Sequence, residues 1–233
     1  METIVFFISC LLMFLFFSLW YQPILKLWPS GRNKTAKIIL GILPAVFPVL
    51  VIFTLIFFAS PGIADNFYNF AFYIVLGYVW LLTGFMLTTL CFGLQWTDDA
   101  LHLNNKAALP VITGEFLAIV FIYAGANAGS GHVWWSVLFT GFLSLAVWLI
   151  LGWIVHLCTG IFEIISVERS VGCGIRFCLY LLLCGGILGY AGSGEWISFS
   201  MTITKFTGGW PALPLTVLYI IIELVIKGKR NND

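Results

Sequence analysis

Charge is what this chain has least of. Asp, Glu, Lys and Arg together make up 9% of its 233 residues, against roughly 25% in ordinary soluble domains. A soluble fold of this size could not cover its surface with so few. Basic and acidic residues nearly cancel, 11 against 10, which excludes a basic nucleic-acid binder. An apolar share of 61% excludes disorder. The six cysteines, Cys10, Cys91, Cys158, Cys173, Cys178 and Cys184, form no CxxC pair, and nearly all lie in apolar runs. They read as small apolar side chains, not as a disulfide framework. Of the three histidines, His102 and His132 fall in expected loops, so haem lacks a second buried imidazole. Zinc lacks clustered ligands. Neither a phosphate loop nor a nucleophile–base pair is present, so no cofactor, no metal and no enzymatic activity is expected.

What the chain does have is long apolar runs. A membrane-spanning helix needs about 20 mostly apolar residues. Seven stretches qualify: Thr3–Tyr21, Ile38–Ser60, Phe67–Leu94, Ala107–Gly125, Trp134–Leu157, Val171–Ala191 and Trp210–Ile226. The expected fold is all-α, a polytopic seven-helix membrane bundle. Pro29-Ser-Gly and Pro61-Gly punctuate the first two loops, and the fourth and sixth helices run out into Gly125–Gly131 and Gly192–Gly194. Pro44 and Pro48 lie inside the second helix, where a kink is expected.

Orientation follows the Lys/Arg balance. With the first loop in the cytoplasm, that side holds Lys26, Arg32, Lys34, Lys37, Lys106, Arg169, Arg176, Lys227, Lys229 and Arg230, and the outer side holds Lys205 alone. The N-terminus is therefore expected outside and the C-terminus inside. The first helix does not read as a cleavable signal peptide, since Met1-Glu2-Thr3 carries no positive charge and no small-residue cleavage site follows. The sequon Asn33-Lys-Thr35 falls on the cytoplasmic side and has no weight. Trp20, Trp28 and Trp96 are placed at the inner interface, Trp134, Trp135, Trp196 and Trp210 at the outer one, and Trp80, Trp148 and Trp153 deeper.

Two stretches repeat each other. Val79-Trp-Leu-Leu-Thr-Gly84 matches Val147-Trp-Leu-Ile-Leu-Gly152 at an offset of 68, and Tyr123-Ala-Gly125 matches Tyr190-Ala-Gly192 at an offset of 67. Helices three and four thus resemble helices five and six. Each unit has two spans, so the copies share one orientation and are parallel repeats. The expected organisation is 1–66, two N-terminal spans with a basic loop; 67–131 and 132–194, the two repeats; and 195–233, an outer interfacial segment, the last span and a basic tail. The segment Gly93-Leu-Gln-Trp-Thr-Asp-Asp99 leads into Asn105-Lys-Ala-Ala108, and its counterpart is Val167-Glu-Arg-Ser-Val-Gly-Cys-Gly174. With Gly194-Glu-Trp-Ile-Ser, Thr204-Lys-Phe and Gly209-Trp-Pro-Ala212, these make residues 70–226 resemble the YjfL-type family, a duplicated domain of unknown function in bacterial inner membranes. Where that family has Asp or Asn after its Glu-Arg pair, this chain has Ser170. The resemblance implies architecture and location and brings no chemistry.

Glu115 is the most informative single residue. It lies about nine residues into the fourth helix, roughly 13 Å from the cytoplasmic end. A carboxylate there costs at least a few kcal/mol, so it is expected to face the bundle interior and either pair or stay protonated. Arg176, about five residues into the sixth helix, is the candidate partner, although at ~7 Å depth it could instead extend to the inner interface. Gly152, His156 and Gly160 share one face of the fifth helix and its end. Close packing, with His156 bonding across helices, is their expected use. Gly185 and Gly189 form a GxxxG pattern, suited to packing inside the bundle or to a homo-oligomer contact. Asp98-Asp99 is read as a solvated, helix-initiating pair, with cation binding the alternative. Glu223 and Lys227 are spaced for a helical ion pair. In 195–209 apolar residues alternate as in a strand, yet Trp196, Phe199, Ile203 and Phe206 share a helical face. An interfacial or shallow re-entrant segment satisfies both patterns.

Two functions compete at this point. One is a non-catalytic membrane protein acting through helix packing and assembly with itself or with membrane-protein partners, in envelope maintenance or stress. The other is a small channel or proton-coupled transporter with Glu115 in its pathway. The only partner composition fixes is the lipid bilayer. Retinal photochemistry shares the seven-span layout but needs a lysine inside the last helix, and Lys227 lies only at its end.

Overall fold

The computed structural model describes residues 2–30, 33–59, 66–129 and 133–230. Gly31 and Arg32, Ser60 and the Pro61-Gly62 pair, Ser130, Gly131 and His132 lie outside the described residues, as do the side chains of Ser30, Lys229 and Arg230. The helices are α1 (Glu2–Leu27), α2 (Lys34–Phe57), α3 (Phe67–Phe92), α4 (Ala108–Asn127), α5 (Trp134–Thr159), α6 (Ile161–Ser166), α7 (Val171–Gly192), α8 (Phe199–Phe206) and α9 (Ala212–Arg230). Seven of the helical runs are long and apolar enough to cross a membrane, and the chain is a multi-pass membrane protein. Segment 199–206 is helical, with Ser198 Oγ accepting the Met201 N–H at its start. The strand-like alternation there is not used, and no partner strand stands beside it among the described residues.

The prolines of α2 explain a large part of how α1 and α3 dock. Proline has no N–H, so Pro44 leaves the Leu40 carbonyl without its helical donor, and Pro48 leaves that of Pro44. In lipid, water cannot fill the gap and a neighbouring helix has to. Trp20 Nε1 of α1 donates to Leu40 O at 2.8 Å, and Tyr78 OH of α3 donates to Pro44 O at 3.1 Å. α2 therefore remains one helix through both prolines. Trp20 is correspondingly buried and stacks on Trp96, centroids 4.5 Å apart. Its ring is therefore turned into the bundle. Trp20→Phe and Tyr78→Phe are each expected to destabilise by about 1–3 kcal/mol, the cost of an orphaned buried carbonyl. Adding Pro44→Ala to the first or Pro48→Ala to the second restores the missing N–H, and recovery of the thermal midpoint in micelles checks the argument.

α4 is the most enclosed of the spanning helices, and it lies along α7. The contacts run in chain order on both helices, so the two are parallel. A Cβ on Gly174 would meet Ala107 O, one on Gly114 the Cys178 sulfur, one on Gly185 the Ala118 Cβ, and one on Gly125 the Gly189 carbonyl. Small residues let the backbones approach, which is how helices gain dispersion energy where no hydrophobic effect drives them together. Past the crossing the strapping continues, with Gly194 N donating to Ala128 O at 2.8 Å.

One end of the bundle gathers the starts of α2, α4 and α7 and the ends of α1, α3, α5 and α9. It is tied by side chains across the loops: Asn33 Nδ2 to Leu101 O at 2.7 Å, Asn105 Nδ2 to Ile165 O at 2.8 Å, and Lys227 Nζ to Thr159 O at 3.2 Å. Lys37, in the first turn of α2, is buried there with its ammonium on Leu27 O.

Candidate functional site

Glu115 stands on the enclosed helix, between Gly114, which abuts Cys178 of α7, and Phe116, whose ring meets Trp20 and Phe85. It is 1% exposed, and its Oε1 has no hydrogen-bond partner among the described residues. The expectation that it faces the interior is met by this placement.

Arg176 is not its partner. The guanidinium turns to α9, Nε donating to Glu223 Oε1 at 2.6 Å and Nη2 to Glu223 Oε2 at 2.9 Å. This fork-on-fork geometry uses both carboxylate oxygens. Glu223 is only 4% exposed, and Cys173 Sγ lies 3.8 Å from Oε2. The expected Glu223–Lys227 pair is replaced for a simple reason. A carboxylate held against α7 points away from its own helix's next turn, and Lys227 reaches the Thr159 carbonyl at the end of α5 instead. The α7–α9 seam continues outward with Tyr180 OH and Thr216 Oγ1 at 3.0 Å.

His156 does not bond across spanning helices. Its ring stacks on Phe162 of α6, centroids 4.2 Å apart, and Nδ1 accepts the Phe162 N–H at 3.4 Å. An Nδ1 that accepts places any ring proton on Nε2. Gly152 does pack, its open space filled by the Phe92 ring. Gly160 does not. It ends α5 at φ +71, in the left-handed region that lets the chain turn into α6. Gly185 and Gly189 both face α4 inside the bundle. Asp98 and Asp99 lie in the short helix Trp96–His102, where Asp99 Oδ2 accepts the Gln95 N–H at 2.8 Å, a helix-starting contact.

Asn105 is the residue that sequence reasoning passed over. Its Oδ1 accepts the N–H groups of Ala107 and Ala108 at 2.9 and 3.3 Å, while its Nδ2 reaches Ile165 O. It thus starts α4 and ties that start to the α6–α7 turn. The signal was present in an Asn ahead of Lys-Ala-Ala-Leu-Pro, a capping residue followed by a first-turn proline.

The family model for the domain of unknown function DUF350 matches residues 62–191. The chain belongs to this family. The DUF350 match takes in α3 to α7, hence the α4–α7 crossing, Glu115, Asn105 and Arg176. It stops short of 226, so Glu223 is supplied by a helix beyond the matched stretch. The likeness to the YjfL-type family expected from the loop motifs is thereby established over the four central spans. No curated protein and no solved structure matches the chain.

Proposed function

We propose that the chain is a non-enzymatic protein of the bacterial inner membrane, N-terminus outside and C-terminus in the cytoplasm. In this reading it is built on a duplicated two-helix unit and acts by assembling with itself or with membrane-protein partners, in envelope maintenance or stress. Ten basic residues on one side against Lys205 on the other support the orientation. The duplication is supported by contacts between residues 67 apart, Ala107 with Gly174 and Ala118 with Gly185. It is supported too by left-handed glycines 67 apart, Gly93 and Gly160, which end the first helix of each unit. One observation carries the assembly reading. The interior polar groups on the best geometry, Arg176 with Glu223 and Asn105 with Ile165, bond element to element, which leaves them holding helices rather than performing chemistry.

A second reading, a channel or proton-coupled transporter, is favoured by a different observation: the unpartnered Oε1 of Glu115 at 1% exposure. Buried polar atoms in a membrane protein without a partner are unusual and cluster on pathways. Glu115→Gln separates the two. It preserves shape and leaves one ionisable group fewer. Under the assembly reading, the variant keeps its oligomer profile and complements a deletion strain. Under the transport reading, wild-type proteoliposomes show pH-dependent flux that the variant loses. Wild-type flux no greater than that of empty vesicles removes the second reading.

A further inference from the structure

At the end of the bundle where α2 and α4 begin, a cavity of about 340 Å³ lies between the first turn of α2 and the turn leading into α4. Its charged lining residues are Lys34, from α2, and Lys106, from the turn. Asn33, Thr35, Asn104 and Asn105 complete its polar wall.

Two of the wall residues are held by bonds to other elements. The Asn105 amide is fixed on Ile165 O and that of Asn33 on Leu101 O. Because Asn33 stands at φ 56 with its side chain turned to Leu101, it provides no side-chain cap for α2. The positive end of a 24-residue helix therefore opens toward the same space as the two ammonium groups. Lys34 and Lys106 are both exposed, and two cations from separate elements lining one cavity give it a positive potential that favours an anion. The volume is within the range of real small-molecule sites, roughly 300–1,000 Å³. It lies at the end of two helices long and apolar enough to span, and the ends of spanning helices come near the phosphate groups of a bilayer.

We propose that this cavity, lined by Lys34 from the start of α2 and Lys106 from the turn before α4, binds a phosphate group. A free phosphate and the phosphodiester headgroup of an anionic phospholipid present the same oxyanion chemistry. The site shares Asn105 with the contacts that support the assembly reading, but it involves neither Glu115 nor the α7–α9 seam, and the variants that test it leave Asn105 in place.

The test uses the full chain in nanodiscs of neutral phosphatidylcholine at physiological ionic strength. One arm titrates inorganic phosphate by calorimetry. The other dopes in phosphatidylglycerol and measures, by mass spectrometry, the lipid retained on the protein. Saturable binding in either arm is expected, and the arm that responds identifies the source. K34Q/K106Q is expected to weaken it about tenfold or more, the loss of two near-surface cationic contacts. K34R/K106R keeps it, and Lys26→Gln, an exposed lysine of α1 outside the lining, leaves it unchanged. Absence of saturable binding in both arms overturns the proposal. So does an equal loss with Lys26→Gln, which would make the effect one of general surface charge. Should the double glutamine variant not fold, the single variants decide. Each must weaken binding more than Lys26→Gln does, or the site is rejected.

Discussion

Gly125→Ala is expected to cost roughly 3 kcal/mol or more, near the top of what overpacking does. The added Cβ would stand 2.0 Å from the Gly189 carbonyl oxygen and 2.4 Å from its carbon. Both are backbone atoms of a helix, so no rotamer change can relieve the clash. The helices must separate, and contacts along the whole α4–α7 crossing loosen together. Gly186→Ala is the control on α7. A Cβ there meets nothing within 4 Å, and alanine is the better helix former by about 1 kcal/mol, so this variant is expected to be neutral or slightly stabilising. The comparison is read from the midpoint of thermal unfolding in micelles and from the monodisperse fraction after purification. Equal midpoints for the two variants would show that the crossing is not the tight contact described.

Arg176→Met is expected to destabilise by roughly 3 kcal/mol, at the low end for breaking a buried pair. The low end applies because the arginine side chain is 34% exposed while that of Glu223 is 5% exposed. That asymmetry predicts an order. Removing the arginine strands a carboxylate with no route to water, whereas Glu223→Gln leaves an arginine long enough to reach the interface, so the second variant costs less. Arg176→Met combined with Glu223→Met removes both charges and is expected to recover most of the loss, because a well-packed apolar pair often matches or exceeds an ion pair. A double variant no better than Arg176→Met alone would mean that the pair is not what couples α7 to α9. Breaking this seam also tests the assembly reading, which rests in part on Arg176 and Glu223 holding α7 to α9.

How much of this was readable in advance depends on which force fixed each feature. The spanning segments were legible because a bilayer demands about 20 apolar residues in a row, and a linear requirement shows in a linear sequence. Glu115 was legible for the same reason. Its depth along α4 follows from residue count, and a carboxyl at that depth must turn inward. Partners were not legible in that way. Arg176 and Glu223 are 47 residues apart, and depth alone cannot say which helix stands beside which. Spacing on one helix offered Lys227 as the partner of Glu223, and the neighbouring helix offered a better fork. Gly160 misled for a related cause. Periodicity continued past the point where the chain leaves α5, and a glycine in register with Gly152 is indistinguishable from one that ends the helix at positive φ.

The scarcity of charge by itself determined that this chain spans a membrane many times, because no aqueous fold can be covered by so few ionisable groups. It also reduced the interior chemistry to a handful of residues, with Glu115 first. Only the tertiary structure decided what each of them meets. Carbonyls freed by Pro44 and Pro48 are answered by Trp20 and Tyr78 from two other helices, Arg176 by Glu223 and the start of α4 by Asn105. In lipid a polar group must find its partner within the protein, and which partner it finds is set by how helices pack side by side, a relation that sequence order does not contain.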